Sequence, residues 1–468
     1  MPVDRDAVRD TAKYLRQVRP IDPAEVSEYV PDQPDPRVIQ QVLREQAMDL
    51  GLAEGADGLF RPAATGPFRP DFDGVDRLPK KYESQLESLL VERYGPEWHQ
   101  GETGAKIRER IDRLKADYFD GRSVQYDRDV ALAYAIYHLA DYYASTQYIL
   151  ATLAQDGLVP SQASVLDVGA GVGGPALAIA DLFDVDRDPT ELPILDYHAI
   201  EPSPAAAVFE SLLGDGPRNV TTELHRQPAE QFDPADSFDL IFFNNVLSEL
   251  ETPVETAERY LEFLTESGTL VLTAPADRNT SIQLRRVERN LETRGETVYG
   301  PTVRLWPDER PTDTCWSFDQ RPDIDVPSVQ AALAGEADRA APVQNTSVKF
   351  SYSVLRRDGK RRYDFALDRS NVAKLGDMEA HVGSRIDLVV GKLSGDLSEG
   401  GHPLYKISDG SESVSHFAVL VNETELNQDL STAEYGDIIQ ITGGLALFNE
   451  DEAAYNIVVD EETIIDRA

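Results

Sequence analysis

An aspartate ending one apolar run, three closely spaced glycines and a glutamate ending the next run are the residues here whose types and spacing can do chemistry. Residues 165–174 read VLDVGAGVGG, with Asp167 at the end of the apolar stretch. Gly169, Gly171 and Gly173, with Ala170 among them, let the backbone approach a ligand without Cβ obstruction. Pro175 suits a first helical turn, where its missing N–H costs nothing. The run Ala176 to Phe183 then supplies a helix that packs back on a sheet. A second apolar run, Leu195 to Ile200, ends in Glu201, 28 residues beyond Gly173.

Two ligands compete for such a turn. Gly169, Gly171 and Gly174 satisfy G-x-G-x-x-G, whose glycines seat a pyrophosphate on a helix N-terminus. A carboxylate at Asp167 would repel that pyrophosphate. It suits the ammonium of S-adenosylmethionine, directly or through water. Glu201 can accept both hydroxyls of a ribose, and it lies further on than the roughly 20 residues of a nicotinamide site. The competing bland reading is a turn that only packs a helix on a strand; acids at both strand ends weigh against it.

The elements that position these residues follow in order. Phe238 to Phe243 (FDLIFF) reads as a buried strand, followed by Asn244, Asn245 and a helical VLSEL. The amphipathic stretch Ala257 to Leu264 and a Ser267-Gly268 turn lead to the strand Thr269 to Thr273. Strands alternating with helices predict an α/β fold with a parallel, doubly wound sheet. This resembles the Rossmann-like class I S-adenosylmethionine-dependent methyltransferases, with the glycine turn as first motif. The resemblance assigns cofactor contacts to Asp167, Gly169, Ala170, Gly171, Gly173, Glu201 and Asn244, with Asn244 and Asn245 facing the acceptor. No lysine lies between Lys115 and Lys349, so the sheet lacks the lysines that activate a ribose hydroxyl. No cysteine follows Phe238 to Phe243, which leaves attack on a pyrimidine ring unsupported. Asn244-Asn245-Val246-Leu247 also replaces the Asn-Pro-Pro-aromatic loop that grips an exocyclic amine. What survives is transfer by proximity and orientation, or no transfer at all.

Charge dominates the composition. Eighty-three acids against 45 bases give −38, spread through every region. Dispersed acidity repels nucleic acid, but it also fits life in concentrated salt, where the Debye length falls to about 3 Å and a local basic patch still acts. No apolar run approaches the ~20 residues of a membrane span. The single cysteine, Cys315, forbids an intrachain disulfide and any multi-cysteine metal site. The expectation is a cytoplasmic protein with no metal.

Four regions follow. Residues 1–65 predict a winged-helix-like module: helices Asp6 to Val18, Pro23 to Val30 and Pro36 to Leu50, then a hairpin around Gly55-Ala56-Asp57-Gly58. Nucleic-acid contact and protein docking are equally compatible with it. Residues 66–155 predict a Pro- and Gly-rich linker to residue 81 and a helical subdomain, on which His138 reads as a packed histidine. Residues 156–370 hold the methyltransferase-like core. Near its end VKFSYSVLRRDGKRRYDFAL predicts two strands joined at Asp358-Gly359. There Lys349, Arg356, Arg357, Lys360, Arg361 and Arg362 form a +4 island, read either as phosphate contact with RNA or as a solvated tip. Residues 380–468 predict five short strands, Ile386 to Leu393, Leu404 to Ser408, His416 to Val421, Ile438 to Thr442 and Tyr455 to Val459, an OB-like β-barrel. Four bases against 17 acids weaken RNA binding as that barrel's sole role.

YHLADYYASTQYILATLAQ before the glycine turn, SEL after the third strand, CWSFDQR at Cys315 to Arg321 and KFSYSVLRR together resemble the methyltransferase-like small-ribosomal-subunit assembly proteins known from mitochondria, here in a halophilic archaeal form. The likeness spans roughly Val124 to Phe365. It implies binding to the small ribosomal subunit and its rRNA, with methylation of that rRNA or, alternatively, an assembly role with a vestigial cofactor pocket. Family members carry several cysteines around CWSF that hold an iron–sulfur cluster; a four-iron cluster wants about four thiolates. With Cys315 alone the cluster is not expected, and Trp306, Asp308, Arg310 and Trp316 are expected to hold that lobe instead. The sequence leaves the oligomeric state open.

Overall fold

A computed structural model describes residues 3–119, 122, 124–184, 191–214, 216–335 and 343–467. It divides into two compact units, residues 1–242 with 263–268 and 323–348, and residues 243–262 with 269–322 and 349–468.

The first unit opens with α1 (Arg5–Leu15), α2 (Pro23–Tyr29), α3 (Pro36–Glu45) and α4 (Ala47–Leu50). Asp4, Asp22 and Asp35 each accept a backbone N–H as N-cap, and Pro23 and Pro36 occupy the first turns. Strands β1 (Leu52–Glu54) and β2 (Phe60–Pro62) pair as a hairpin. Val8, Ile21, Val26, Ile39, Leu43 and Phe60 share one buried cluster. The hairpin is not a free wing. The Asn219 side chain accepts from the Glu54 N–H at 2.7 Å and donates to the Glu54 carbonyl at 3.1 Å.

The stretch expected as a linker is instead pinned. Phe68 stacks on Phe183 with centroids 4.2 Å apart, and the Tyr148 hydroxyl receives the Val75 N–H. Helices α5 (Lys80–Tyr94), α6 (Gly101–Phe119) and α7 (Arg128–Gln155) follow. Helix α7 buries an Ala- and Leu-rich surface, and His138 stacks on Tyr142 beside Asp141, as a packed residue.

The α/β core then runs β3 (Gln162–Val168), α8 (Gly174–Phe183), β4 (Ile194–Ile200), α9 (Ala205–Leu213), β5 (Val220–His225) and β6 (Phe238–Phe243). The strand order is β5-β4-β3-β6, with β3–β4 and β4–β5 parallel. Strand β5 was not foreseen. Its sequence, VTTELH, is polar and half-exposed because it lies at an edge of the sheet. VLSEL after β6 forms a turn, closed by the Glu249 N–H on the Val246 carbonyl, rather than a helix.

Next come α10 (Pro253–Leu261), β7 (Leu264–Pro275), α11 (Arg278–Thr293), β8 (Thr297–Gly300), β9 (Asp319–Arg321), α12 (Ser328–Ala334, in the first unit) and β10 (Val348–Arg356). Ser267 and Gly268 lie inside β7, not at a turn before it. The second unit's order is β7-β10-β8, antiparallel throughout, which departs from the all-parallel expectation. The hairpin expected at Asp358-Gly359 does not form. Strand β10 is already paired with β7 along one edge and β8 along the other, so no edge is open to a returning strand.

The second unit ends with β11 (Arg385–Lys392), β12 (Leu404–Ser408), β13 (His416–Leu420), α13 (Asp429–Thr432), β14 (Ile438–Asn449), β15 (Ala454–Val459) and β16 (Ile464–Arg467). The order β11-β12-β13-β15-β14 closes through β11–β14, with β13–β15 parallel. This is a closed five-stranded OB-like barrel filled by Leu388, Ile407, Ala418, Ile439, Ile441 and Ile457. Strand β16 adds to β14.

Candidate functional site

Strand β3 ends at Val168, and the chain turns through Gly169 to Gly173 into α8. The N–H groups of Gly169 and Ala170 both donate to the Ile200 carbonyl, at 2.9 and 3.0 Å, which ties the turn to the end of β4. Gly171 and Gly173 carry φ of +56° and +89°, a region L side chains rarely enter. They differ in what a side chain would meet. A Cβ at Gly173 would stand 2.1 Å from the Phe209 ring, so this glycine packs α9 against the turn. A Cβ at Gly171 meets no atom within 4 Å. Gly171 therefore faces open space.

Glu201 closes the same turn from the end of β4. Its Oε2 accepts the Gly171 N–H at 2.8 Å, and its Oε1 accepts the Ser203 N–H at 2.8 Å. A carboxylate offers about four lone-pair sites, so both oxygens keep capacity for ligand hydroxyls. Sequence reasoning found this residue, but not that it shapes the glycine turn itself.

Asp167 behaves otherwise than expected. It has no exposed surface and accepts the Tyr197 hydroxyl at 2.6 Å. Direct pairing with a ligand ammonium has no open carboxylate edge in this arrangement. Asp167 instead anchors β3 to β4, and burial of Tyr197, together with the charge of Asp167 beside it, pushes that phenol well above its usual range. Tyr197 was missed because it reads as one more apolar strand position.

In the second unit, Asn244 is buried directly after β6, with the Thr273 hydroxyl 3.5 Å from its Oδ1. Asn245 takes φ +55°, which asparagine tolerates, and its N–H donates to Thr273 Oγ1 at 3.0 Å.

The expected basic island separates into unlike parts. Arg356 is 1% exposed; its guanidinium grips Asp358 at 2.5 and 2.9 Å and donates to Thr269 Oγ1 at 2.7 Å. It is spent inside the protein and cannot reach a phosphate. Arg362 is half-buried and lies over the Tyr363 ring. Lys349, Arg357, Lys360 and Arg361 are exposed; Arg357 also donates to the Leu261 carbonyl and Arg361 to that of Arg304.

The lobe around Cys315 is held by buried ions together with Trp306 and Trp316; of the residues expected, Asp308 and Arg310 take no part. Asp308 and Arg310 are exposed, Trp306 donates to Asp409 at 2.7 Å, and Trp316 to the Ala276 carbonyl. Glu288 receives Arg285 at 2.7 Å and Thr302 at 2.8 Å, while Arg304 forks onto Glu292 with two 2.8 Å bonds. Burial alone would raise the Glu288 carboxyl, but Arg285 and Arg304 override it and hold it at about 2. Asp313 joins Arg289 at 2.8 Å and the fully buried Lys406 of β12 at 2.7 Å. Burial pushes the lone Cys315 thiol up, so it is an inert packed residue.

Residues 166–270 match a family described as Methyltransferase domain. The chain carries a methyltransferase domain. Residues 5–56 and 376–468, on either side of this domain, match the N-terminal and C-terminal parts of a Domain of unknown function (DUF8157). A comparison with curated proteins returns no match. Solved structures similar to parts of the chain include the sugar N-methyltransferase KedS8 from Streptoalloteichus (17% identity, 32% of this chain and 54% of that one, TM-score 0.24). Another is SAM-bound CalS10, an amino pentose methyltransferase from Micromonospora echinaspora (21%, 32% and 58%, 0.23). A third is the plantazolicin methyltransferase BpumL in complex with SAH (14%, 59% and 97%, 0.29). The chain spans only 50–58% of the length of the first three structures it matches. Among the described residues, no helix is long and apolar enough to cross a membrane.

Proposed function

We propose that this chain binds S-adenosylmethionine at the Gly169–Gly173 turn and acts as a cytoplasmic methyltransferase on the rRNA of the small ribosomal subunit. One observation carries the cofactor reading: Glu201 braces the turn beside an open glycine. The backbone face at Gly171 leaves room for a ligand, and Glu201 has acceptor capacity for ribose hydroxyls. When bound, the cofactor supplies an electrophilic methyl group. The chain's own residues then orient rather than activate. Asn244 and Asn245, in the second unit, carry amides, which exchange hydrogen bonds but take up no proton. Support for RNA rests on the exposed Lys349, Arg357, Lys360 and Arg361, on the barrel and on the family resemblance.

Calorimetry with S-adenosylhomocysteine tests the cofactor reading: wild type binds one equivalent, and Gly171→Val, which fills the open side, does not. Absence of heat with wild type removes the reading. RNA crosslinking in ribosomal fractions tests the partner, since a chain absent from small-subunit particles cannot act on them. A second reading is an assembly factor that holds the cofactor without transferring its methyl group. The lack of a proton acceptor at Asn244 and Asn245 favours it. Labelled methyl groups appearing on small-subunit RNA would exclude it.

A further inference from the structure

Strands β4 and β5 bring together three metal-ligating side chains that play no part in the cofactor site. The register pairs Asp196 with Thr221, His198 with Glu223 and Ile200 with His225, so alternate residues of both strands share one face. On it the His198 and His225 rings stack 10° from parallel, and His198 Nδ1 faces His225 Nε2 at 3.0 Å. The Glu223 carboxylate lies 4.0 Å from His198 Nδ1 and 3.6 Å from His225 Nδ1. One ligand atom from each of the three residues falls within 4.8 Å of the others.

A second layer orients the first. Asp196 Oδ2 sits 3.3 Å from His198 Nε2, and its Oδ1 accepts the Thr221 hydroxyl at 2.8 Å. An Nε2 hydrogen donated to Asp196 would leave His198 a bare Nδ1 lone pair toward His225. A carboxylate behind an imidazole in this way is the usual support of a metal-bound histidine. Phe238 and Phe232 wall the two rings. Two nitrogens 3.0 Å apart need something between them, either a shared proton or a cation. Tetrahedral zinc with bonds near 2.0–2.1 Å would set them about 3.3 Å apart, within a small ring movement.

We propose that His198, His225 and Glu223 bind a divalent cation of the zinc class, with Asp196 as the positioning residue and a fourth place left to water. Two imidazoles suit zinc, nickel or copper rather than calcium or magnesium. The expectation of no metal rested on the single cysteine, whereas these ligands lie on separate strands and form no linear motif.

The test uses the full chain, stripped of any affinity tag and of metal, titrated with zinc chloride by calorimetry. One equivalent is expected, lost in His198→Gln and in His225→Gln, while Asp196→Asn weakens binding by about 10–100-fold. Circular dichroism melting checks each fold. If a histidine variant does not fold, the exposed Glu223→Gln replaces it and is expected to weaken binding. Failure of wild type to bind zinc stoichiometrically would mean that a proton joins the two rings and would overturn the site. Full affinity in the folded variants would overturn it equally.

Discussion

Replacing Glu201 with glutamine isolates the residue on which the cofactor reading turns. The change keeps shape and removes charge. Two backbone donors, Gly171 N–H and Ser203 N–H, each meet a different carboxylate oxygen at 2.8 Å. A glutamine offers one oxygen, so one donor must face an NH2 group instead. Losing one charge-assisted hydrogen bond of the buried Glu201 carboxylate costs about 1.5–3 kcal/mol. A ribose hydroxyl losing its acceptor adds about 1 kcal/mol. Where binding must restore the loosened turn, the two costs add to a loss of S-adenosylhomocysteine affinity of about 2.5–4 kcal/mol, or roughly 70- to 900-fold. Calorimetry reads the affinity, and a thermal melt without ligand separates a loosened turn from a lost ligand contact. If Glu201→Gln binds within about threefold of wild type, under 1 kcal/mol, the carboxylate neither braces the turn nor meets the ribose.

Gly173→Ala would drive a Cβ into the Phe209 ring at a φ of +89°; a drop in stability of about 2–3 kcal/mol is expected in chemical denaturation, and an unchanged midpoint would refute the packing role. Glu288→Gln leaves Arg285 and Arg304 buried beside a neutral amide, with an expected cost of about 3–5 kcal/mol. Because the folded Glu288 carboxyl lies at about 2, below its ordinary 4.5, its stabilising effect is complete above 4.5 and fades as pH falls toward 2. Acid titration of wild type should show that slope and the variant should lack it. His416 titrates with the opposite demand. Burial lowers it to about 4, so protonation opposes folding and stability falls as pH drops from about 6.5 to 4. His416→Phe keeps the stack on Tyr455 and should flatten that region of the profile; equal slopes would show that His416 charges freely in the fold.

Apolar period and turn chemistry carried much of the fold. Strands β3, β4 and β6 announce themselves as buried runs, and the barrel strands as short alternations between tight turns. What escaped lies where tertiary contacts outrank local pattern. VTTELH looks like a loop until β4 supplies its partner. The hairpin at Asp358-Gly359 has the right turn residues, yet β10 has no edge left to pair. The stretch around Phe68 and Phe72 is rich in proline and glycine, but its aromatic rings find Phe183 and Tyr148. At the candidate site, the spacing marks the glycines and Glu201, and the structure joins them in one turn. Asp167 was legible as a strand-end acid but not as a buried one, since the Tyr197 hydroxyl that occupies it comes from another strand. Arg356 was misread for a related reason: charge counts do not tell a spent guanidinium from a free one.

Lys406, Asp409 and Tyr435 belong to the barrel region, while Asp313, Trp306, Ser317 and Arg285 belong to the segment before it. Cutting the chain between them would take Lys406 from the buried Asp313, the Tyr435 hydroxyl from the buried Arg285 and Asp409 from the Trp306 indole. The barrel is therefore no cassette that a lineage can discard or a laboratory can express away. Its loss would remove the ground on which α11 and the Cys315 loop stand, and gene fusions or truncations near residue 375 should yield insoluble protein.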